Sequence, residues 1–131
     1  MAQDDTEIML ARQLAGSLAM PIFIVDPEGT LLFYNAPAEN ILGRHFQETG
    51  AMEASIWSRL FIPEDDNGVP LLPESLPLMI ALTDRHPAHS RFWIKGIDNV
   101  RRNIEVTAFP LVGKGGKFVG AMAIFWEVTD V

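Results

Sequence analysis

The sequence IFIVDPEGTLLFYN, residues 22–35, decides the fold of this chain. Two runs of β-branched, leucine and aromatic residues flank the tetrad DPEG at 26–29, which has Pro at its second position and Gly at its fourth, as a tight turn favours. The two runs therefore predict neighbouring antiparallel strands joined by a hairpin. Asn35 ends the second run and is a good N-cap, and Gly43 suits a helix exit, so we expect a short helix over 36–42 to follow directly.

Upstream of the hairpin, residues 4–20 carry apolar side chains at spacings of three and four, which predicts an amphipathic helix. Pro21 prevents this helix from continuing into the first strand. We therefore divide the chain into an N-terminal cap or dimerisation helix at 1–20 and a core domain at 21–131.

Downstream of the short helix, residues 44–76 have a poor hydrophobic period and are expected to be loop-rich, with an acidic turn at 63–68. A longer helix is predicted to begin at Glu74 or Ser75 and to end at Asp84, because the sequence RHP follows it. This part of the chain is expected to supply helices that cover the sheet.

Three further strands are predicted at 90–97, 102–111 and 117–128. The middle one alternates, so that its apolar residues of even number from Ile104 to Ala108 point to one face of the sheet. The last one is apolar on both faces, and both must therefore be covered. The expected fold class is α+β with a five-stranded antiparallel sheet.

The outer face of that sheet offers a possible contact surface. If Ile104 and its neighbours face the core, we expect Ala121, Ala123 and Phe125 to lie on the outer face under the N-terminal helix. The leucines of that helix could also form a two-fold contact with a second copy of the chain, so a homodimer is expected, and capping within one chain is the alternative. The residues expected at the dimer contact are Leu10, Leu14, Leu18 and Phe125.

Composition excludes several classes of function. The chain has 131 residues, of which 48% are hydrophobic, enough for one domain with a buried core. Its formal net charge of −7 repels phosphate backbones and anionic lipid surfaces, so no nucleic acid and no membrane partner is expected. It has no Cys, which excludes disulfides, thiolate nucleophiles and cysteinyl-flavin photochemistry. No apolar window reaches about 18 residues and the leader is acidic, so a cytoplasmic location is expected.

The order of these elements, and the residues that mark them, resemble the PAS sensor domain over residues 14–130. The hairpin at 22–30 and the junction YNAPAENILG at 34–43 are similar to the opening strands and the small helix of that family. The sequences AFPL at 108–111 and EVTD at 127–130 are similar to parts of its last two strands and to its terminal motif. The resemblance implies the strand order 2-1-5-4-3, with the helices on one face around a small pocket.

By this resemblance the chain is a non-enzymatic sensory module that shifts between two arrangements when a small apolar or amphipathic ligand occupies its pocket. No output domain follows residue 130, so the chain is expected to be either a fragment of a larger sensor or a domain that acts on an effector protein in trans; the acidic leader after Met1 favours a free-standing domain. The alternative function is a ligand-free interaction or dimerisation module. A small α+β enzyme of the cone-shaped isomerase type is disfavoured, because the acids of the inner strands would sit at turns or on the polar side of a strand.

The residues expected to line the pocket come from the sheet and from the helices that cover it, and a core filled by side chains is the alternative to a ligand-sized void. They are Ile24, Phe33, Ile41, Leu42, Trp57, Leu60, Leu78, Met79, Leu82, Trp93, Ile104, Val106, Met122 and Ile124. At its rim, Arg44, His45 and Arg91 could pair with a ligand carboxylate.

No motif identifies a cofactor. Haem could be ligated by His86 or His89 near the end of the longer helix, and a non-covalent flavin could be held, but no pattern in the sequence supports either. Two solvated histidines around Pro87 are the favoured interpretation. The acidic run at 64–66 could bind a divalent cation, although a solvated loop is favoured. Neither catalytic residues nor a metal site are predicted.

Overall fold

The computed structural model of the protein describes Leu10, Gln13 and residues 20–43, 45–53, 55–57, 62–95 and 99–128. Short 3-10 turns lie at Pro73–Ser75 and Lys114–Gly116. In chain order the helices and strands are β1 (Ile22–Val25), β2 (Leu31–Tyr34), α1 (Ala36–Leu42), α2 (Phe46–Thr49), β3 (Ile62–Glu64), α3 (Pro77–Asp84), β4 (Ala88–Lys95), β5 (Arg101–Val112) and β6 (Phe118–Glu127).

The strands form one antiparallel sheet in the order β2-β1-β6-β5-β4-β3. The five strands predicted from the sequence follow one another in the expected order, so the predicted fold class is confirmed. The sixth strand, β3, corrects the predicted count: it adds three residues to the edge beyond β4, where Pro63 lies opposite Ile94. Such a short strand carries no alternation that a sequence pattern could reveal, and Pro is tolerated in it because it is an edge strand.

The predicted N-terminal helix falls mostly outside the described residues. Leu10 is described and is 58% exposed, whereas Leu14 and Leu18 lie outside the described part of the chain. The division into a helix at 1–20 and a core at 21–131 therefore stays a prediction.

Two side chains fix the first hairpin and its exit. Asp26 Oδ1 accepts two backbone N–H bonds of the turn, each at 2.9 Å, which is an Asx turn. Asn35 Oδ1 accepts the N–H of Ala38 in α1 at 3.2 Å and the N–H of Ile22 in β1 at 2.9 Å. The buried Asn35 side chain therefore joins the start of α1 to the start of β1, as the predicted N-cap requires.

The helix α3 packs on β4, β5 and β6. It begins at Pro77, two residues later than the latest expected start, because Pro73–Ser75 forms a 3-10 turn first and Pro suits the first helical position. It ends at Asp84 as predicted, and Arg85 then takes a left-handed conformation. Within the described ranges, no helix is long and apolar enough to cross a membrane.

Both faces of the sheet bury apolar side chains. We call the face under α3 the helix face and the opposite one the reverse face. The buried residues of the helix face include Phe23, Val25, Phe92, Ile94, Ile104, Val106, Ala108, Ala121, Ala123 and Phe125. On the reverse face, Ile22, Ile24 and Met122 are buried, with Phe33, Phe109 and Ile124 packed against them.

The pairing of β6 with β5 corrects the orientation predicted for β6. Val106 lies opposite Phe125, and Ala108 lies opposite Ala123. Directly paired residues share a face, so Ala123 and Phe125, and with them Ala121, point to the helix face. The prediction that these residues lie outside, with Phe125 at a dimer contact, is wrong. Because β6 is apolar at odd and even positions alike, its sequence could not reveal which set faces the helices.

Candidate ligand pocket

A cavity of about 80 Å³ lies between the helix face and the segments that cover it. Its lining is apolar throughout, so it offers shape and dispersion contacts to an apolar group. The lining residues are Phe23, Leu42, Trp57, Pro63, Leu76, Pro77, Leu78, Phe92, Ile94, Ile104, Val106, Ala123 and Phe125.

Trp57 closes the cavity on the side of β1. Its Nε1–H donates to the carbonyl of Gly29 in the first hairpin turn at 2.9 Å, which satisfies the only polar group of the indole. Its ring packs edge-on against Phe23, with 5.2 Å between the ring centroids and 68° between the ring planes. The indole is therefore held at both ends, and its apolar surface is left to line the cavity.

The first turn of α3 covers the cavity from above the sheet. Leu76 at the N-cap, Pro77 and Leu78 all contribute to the lining. Leu82, one turn further along, is buried in the same core but does not line the cavity. Met79 is half-buried and packs against this core, but it does not line the cavity, so its predicted place in the lining is wrong.

The structure places five of the predicted pocket residues in the lining: Leu42, Trp57, Leu78, Ile104 and Val106. Ile41 is buried in the surrounding core without lining the cavity, and Leu60 lies outside the described residues. The sequence-based prediction missed several lining residues, among them Phe23, Phe92, Ile94, Ala123 and Phe125. Each of these five residues could have been predicted if it had been known which alternate positions of its strand point to the helix face.

Five other predicted pocket residues lie on the reverse face. Ile24 pairs in register with Met122 and with Phe33, and Ile22 pairs with Ile124, so these side chains point away from the cavity. The remaining member of this group is Trp93 of β4, which lies between two helix-face residues and donates from Nε1 to Asp66 Oδ1 at 3.0 Å. The predicted pocket positions of Ile24, Phe33, Met122, Ile124 and Trp93 are therefore wrong.

The basic residues predicted at the rim have other surroundings. Arg91 lies on the reverse face, with Nη2 3.8 Å from Glu105 Oε2, so its predicted place at the pocket rim is wrong. His45 is exposed at the N-cap of α2 and is not a lining residue. Arg44 lies outside the described residues.

Among the described residues, Arg102 is a cation that lies next to residues of the cavity wall. It pairs in register with the lining residue Ile94, and it precedes the lining residue Ile104 by two positions on β5. Its Nη1–H donates to the carbonyl of Ile41 in α1 at 2.9 Å. The sequence does contain a signal for this position, because Arg102 lies two residues before Ile104 and both side chains therefore point to the same face of β5.

The surface junction between α1 and α2 is held by an acid–imidazole pair. His45 Nδ1 lies 2.8 Å from Glu39 Oε1. The hydrogen bond that Glu39 accepts raises the pKa of His45, and the same bond lowers the pKa of Glu39. The backbone N–H of Phe46 donates to Glu39 Oε2 at 2.9 Å and lowers the pKa of Glu39 further. The pair therefore links the middle of α1 to the first turn of α2.

The donor set of the cavity does not fit haem. The lining contains no histidine, and His86 is exposed with Nδ1 2.9 Å from the carbonyl oxygen of Pro87. His89 lies on β4 with Nδ1 2.7 Å from Thr107 Oγ1, on the reverse face. No axial ligand is therefore presented to the cavity by these two residues.

The acidic run has a structural explanation in each of its members. Asp65 Oδ1 accepts the backbone N–H groups of Asn67 and Val69, which is an Asx turn. Glu64 Oε1 accepts from Arg101 Nε at 3.0 Å, and Asp66 accepts from a tryptophan indole. Among the described residues no three His, Asp or Glu side chains come together as a metal site would require.

The backbone arrangement is similar to that of solved PAS domains. The PAS domain of a protein from Colwellia psychrerythraea matches with a TM-score of 0.64 at 15% identity, over 93% of this chain and 97% of that chain. The PAS domain of nitrogen regulation protein NR(II) from Vibrio parahaemolyticus matches with a TM-score of 0.65 at 14% identity, over 91% and 98% of the two chains. The LOV protein of Rhodobacter sphaeroides matches with a TM-score of 0.74 at 12% identity, over 95% of this chain and 69% of that chain.

No family model matches the sequence, and no curated protein matches it. The structural matches nevertheless extend over nearly the whole chain. The chain therefore has the fold of a PAS domain.

Proposed function

We propose that this chain is a non-enzymatic sensory module that binds a small apolar or amphipathic molecule in the cavity on the helix face. The observation that carries the proposal is the void of about 80 Å³ with an apolar lining. Protein interiors are close-packed, so a void of this size forfeits dispersion contacts that a ligand would restore. An apolar lining also offers water few hydrogen-bonding partners, so an apolar group displaces water from it favourably.

The volume limits the ligand. An engineered cavity of about 150 Å³ in another protein takes up benzene, and the void here is about half that size. The part of the ligand that the cavity holds is therefore a short apolar group smaller than a benzene ring.

A ligand in this position touches both layers of the fold. Leu76 and Leu78 belong to the α3 side, whereas Ile104 and Phe125 belong to the sheet. Occupancy shifts the protein between two arrangements of these layers only if the ligand binds one arrangement more tightly than the other. One of the similar PAS structures comes from a two-component sensor histidine kinase, which supports a signalling role for this fold.

The test is a titration of the uniformly ¹⁵N-labelled chain with pentan-1-ol, followed by amide chemical shifts. We expect saturable shifts at helix-face residues such as Ile94 and Ile104 and none at Trp126 on the reverse face, where it pairs with Glu105. The absence of saturable shifts, or shifts confined to the reverse face, would contradict the proposal. Native mass spectrometry of the purified chain supplies a second readout, since a tightly held ligand adds its mass.

The reverse face favours a second candidate function, which is self-association without a ligand. Ile22, Ile24 and Met122 are buried there, and Phe109 and Ile124 are partly buried beside them. The apolar surface that stays accessible on this side, at Phe109 and Ile124, supports a contact with a second copy of the chain. Light scattering of Phe109→Glu against the control Val112→Glu, an exposed position on the same strand, separates the cases. Loss of a dimer in the first variant alone supports the interface, and an unchanged mass in both removes Phe109 from it.

A further inference from the structure

We propose that Arg102 is the anion-binding residue of this pocket, and that the ligand carries a carboxylate at one end of a short apolar chain. The inference rests on the proposed function, because it assigns the chemistry of the molecule that fills the cavity. Three observations on Arg102 lead to it: its side of the sheet, its contact with α1, and the chemistry of its guanidinium.

Arg102 stands at the end of the apolar lining. Its register partner Ile94 lines the cavity, and so does Ile104, two residues further along β5. Side chains two positions apart on a strand share a face and lie about 7 Å apart, which is within the length of an arginine side chain. The guanidinium is therefore carried on the same face as the cavity and next to its wall.

The contact of Arg102 with α1 locates the charged end of its side chain. Its Nη1–H donates to the carbonyl of Ile41 at 2.9 Å, and the next residue, Leu42, lines the cavity. Arg102 is only partly exposed, and α1 has no basic residue of its own in its last turn. The guanidinium thus bridges from the sheet to α1, next to the wall residues Ile94 and Leu42.

The chemistry of the group selects an anion. A guanidinium presents five N–H donors in a planar fork that matches a carboxylate at two points. A bidentate pair of this kind adds a second hydrogen bond and an opposite charge to what the single bond to the neutral carbonyl of Ile41 supplies. Beside an apolar wall the attraction is screened less than in water. An apolar chain in the void with its carboxylate at Arg102 satisfies both parts of the site.

Because the chain as a whole is negatively charged, the binding of an anionic ligand depends on the positive charge of Arg102. The chain as a whole carries a formal charge of −7, which repels an anionic ligand at long range. Glu127 lies at the register position opposite Ile104 and would oppose an anion, but it is exposed, so salt and water screen it. Arg101, the neighbouring cation on β5, lies over the Trp93 ring at 4.2 Å and is bound to Glu64, on the other face.

The experiment compares pentanoate with pentan-1-ol on the full-length ¹⁵N-labelled chain. We expect pentanoate to bind the wild type about ten-fold more tightly than the alcohol, since a hydrogen bond to a charged group contributes roughly this factor or more. Arg102→Gln should remove that preference and leave the affinity for the alcohol within about two-fold of wild type. Arg101→Gln is the matched control, with an equal loss of charge on the adjacent residue, and it should keep the preference.

The outcomes separate the two proposals. If neither probe shifts the helix-face amides, the proposed function fails. If both probes bind the wild type equally, or if Arg101→Gln loses as much as Arg102→Gln, the pocket stands and the role of Arg102 is overturned. The wild type supplies a readout that needs no variant: the Arg102 Nε–Hε resonance should shift with pentanoate and not with pentan-1-ol. Its failure to move overturns the assignment even where Arg102→Gln does not fold.

Discussion

Replacing Ala123 by Val should stabilise the fold and close the cavity. Ala123 is buried, lines the void, and lies between Phe23 of β1 and Ala108 of β5 in the sheet. Its small side chain is therefore the reason that part of the space stays open. Val also suits a strand, because β-branched residues pack well on a pleated surface.

Two physical measures set the size of the effect. Ala→Val adds two methyl groups, and each buried carbon contributes about 0.8 kcal/mol, which gives about 1.6 kcal/mol. A void destabilises a protein by about 24 cal/mol per Å³, so removing the whole 80 Å³ would recover about 1.9 kcal/mol. These are two measures of one effect and are not added. We expect the free energy of unfolding to rise by about 1 to 2 kcal/mol.

The assay is urea unfolding at constant temperature, read by far-UV circular dichroism and tryptophan fluorescence. With m of about 2 kcal/mol per M, the midpoint should rise by about 0.5 to 1 M with no change in m. Ala121→Val is the matched control: Ala121 lies on the same strand and face and is fully buried, but it does not line the cavity. There the added methyl groups overpack the core, and we expect a loss of about 1 to 3 kcal/mol.

The comparison of these two variants tests the cavity itself. If Ala123→Val loses as much stability as Ala121→Val, the space beside Ala123 is already filled by side chains. The stabilised variant should also fail to bind pentan-1-ol, because the added methyl groups occupy the site. A stabilised Ala123→Val that still binds pentan-1-ol with wild-type affinity would place the ligand elsewhere.

Three further predictions concern the frame around the pocket. Asn35→Ala removes the acceptor for the Ile22 and Ala38 N–H groups and should lower the free energy of unfolding by about 2 to 4 kcal/mol. Asn35→Asp keeps the acceptor and should lose less stability. Equal losses of the two variants in urea unfolding would contradict the capping role. Gly120→Ala places a Cβ against the Val25 carbonyl oxygen at a φ of +139°, so the free energy of unfolding should fall by about 2 kcal/mol or more. A urea midpoint within error of the wild-type value would refute this close approach. The pKa of His45 is raised in the folded state, so its bond to Glu39 stabilises the fold fully below the unfolded pKa of the imidazole, and this stabilisation is lost as pH rises through the folded pKa. The pKa of Glu39 is lowered in the folded state, so the stabilisation that its carboxylate contributes is lost as pH falls through the folded pKa of Glu39. His45→Ala should therefore lower the urea midpoint more at about pH 5.5 than at about pH 8.5, and equal differences at the two pH values would disprove the coupling.

Local signals in the sequence were enough for the order of the elements. The turn at 26–29 and the cap at Asn35 depend on side chains that bond the backbone within four residues, so they could be read from the sequence directly. The alternation of Ile104 and Val106 gave the correct face of β5, because polar residues separate them. The short β3 strand has no such signal, since its pairing with β4 is held by distant backbone groups.

The pocket could be predicted only where one face of an element is polar. The face was right for Ile104 and Val106 and wrong for Ile24 and Met122, because β1 and β6 are apolar at every position or nearly so. Arg102 was overlooked for a related reason: a basic residue near the start of a strand is ordinarily read as solvent-exposed. Its role became visible only when its partner Ile94 was known to line the cavity.

The sequence by itself determined the first hairpin, the capped helix after it and the inward face of β5, and the strand order followed from the resemblance to PAS domains. Only the tertiary structure decided which alternate residues of β1 and β6 face α3. That choice also decided which residues form the cavity wall and which cation lies beside it. The physical reason is that side chains alternate with a period of two, so a one-residue change of register exchanges the faces of a strand. In a strand that is buried on both sides, hydrophobicity is the same for either choice, and the pairing with neighbouring strands selects between them.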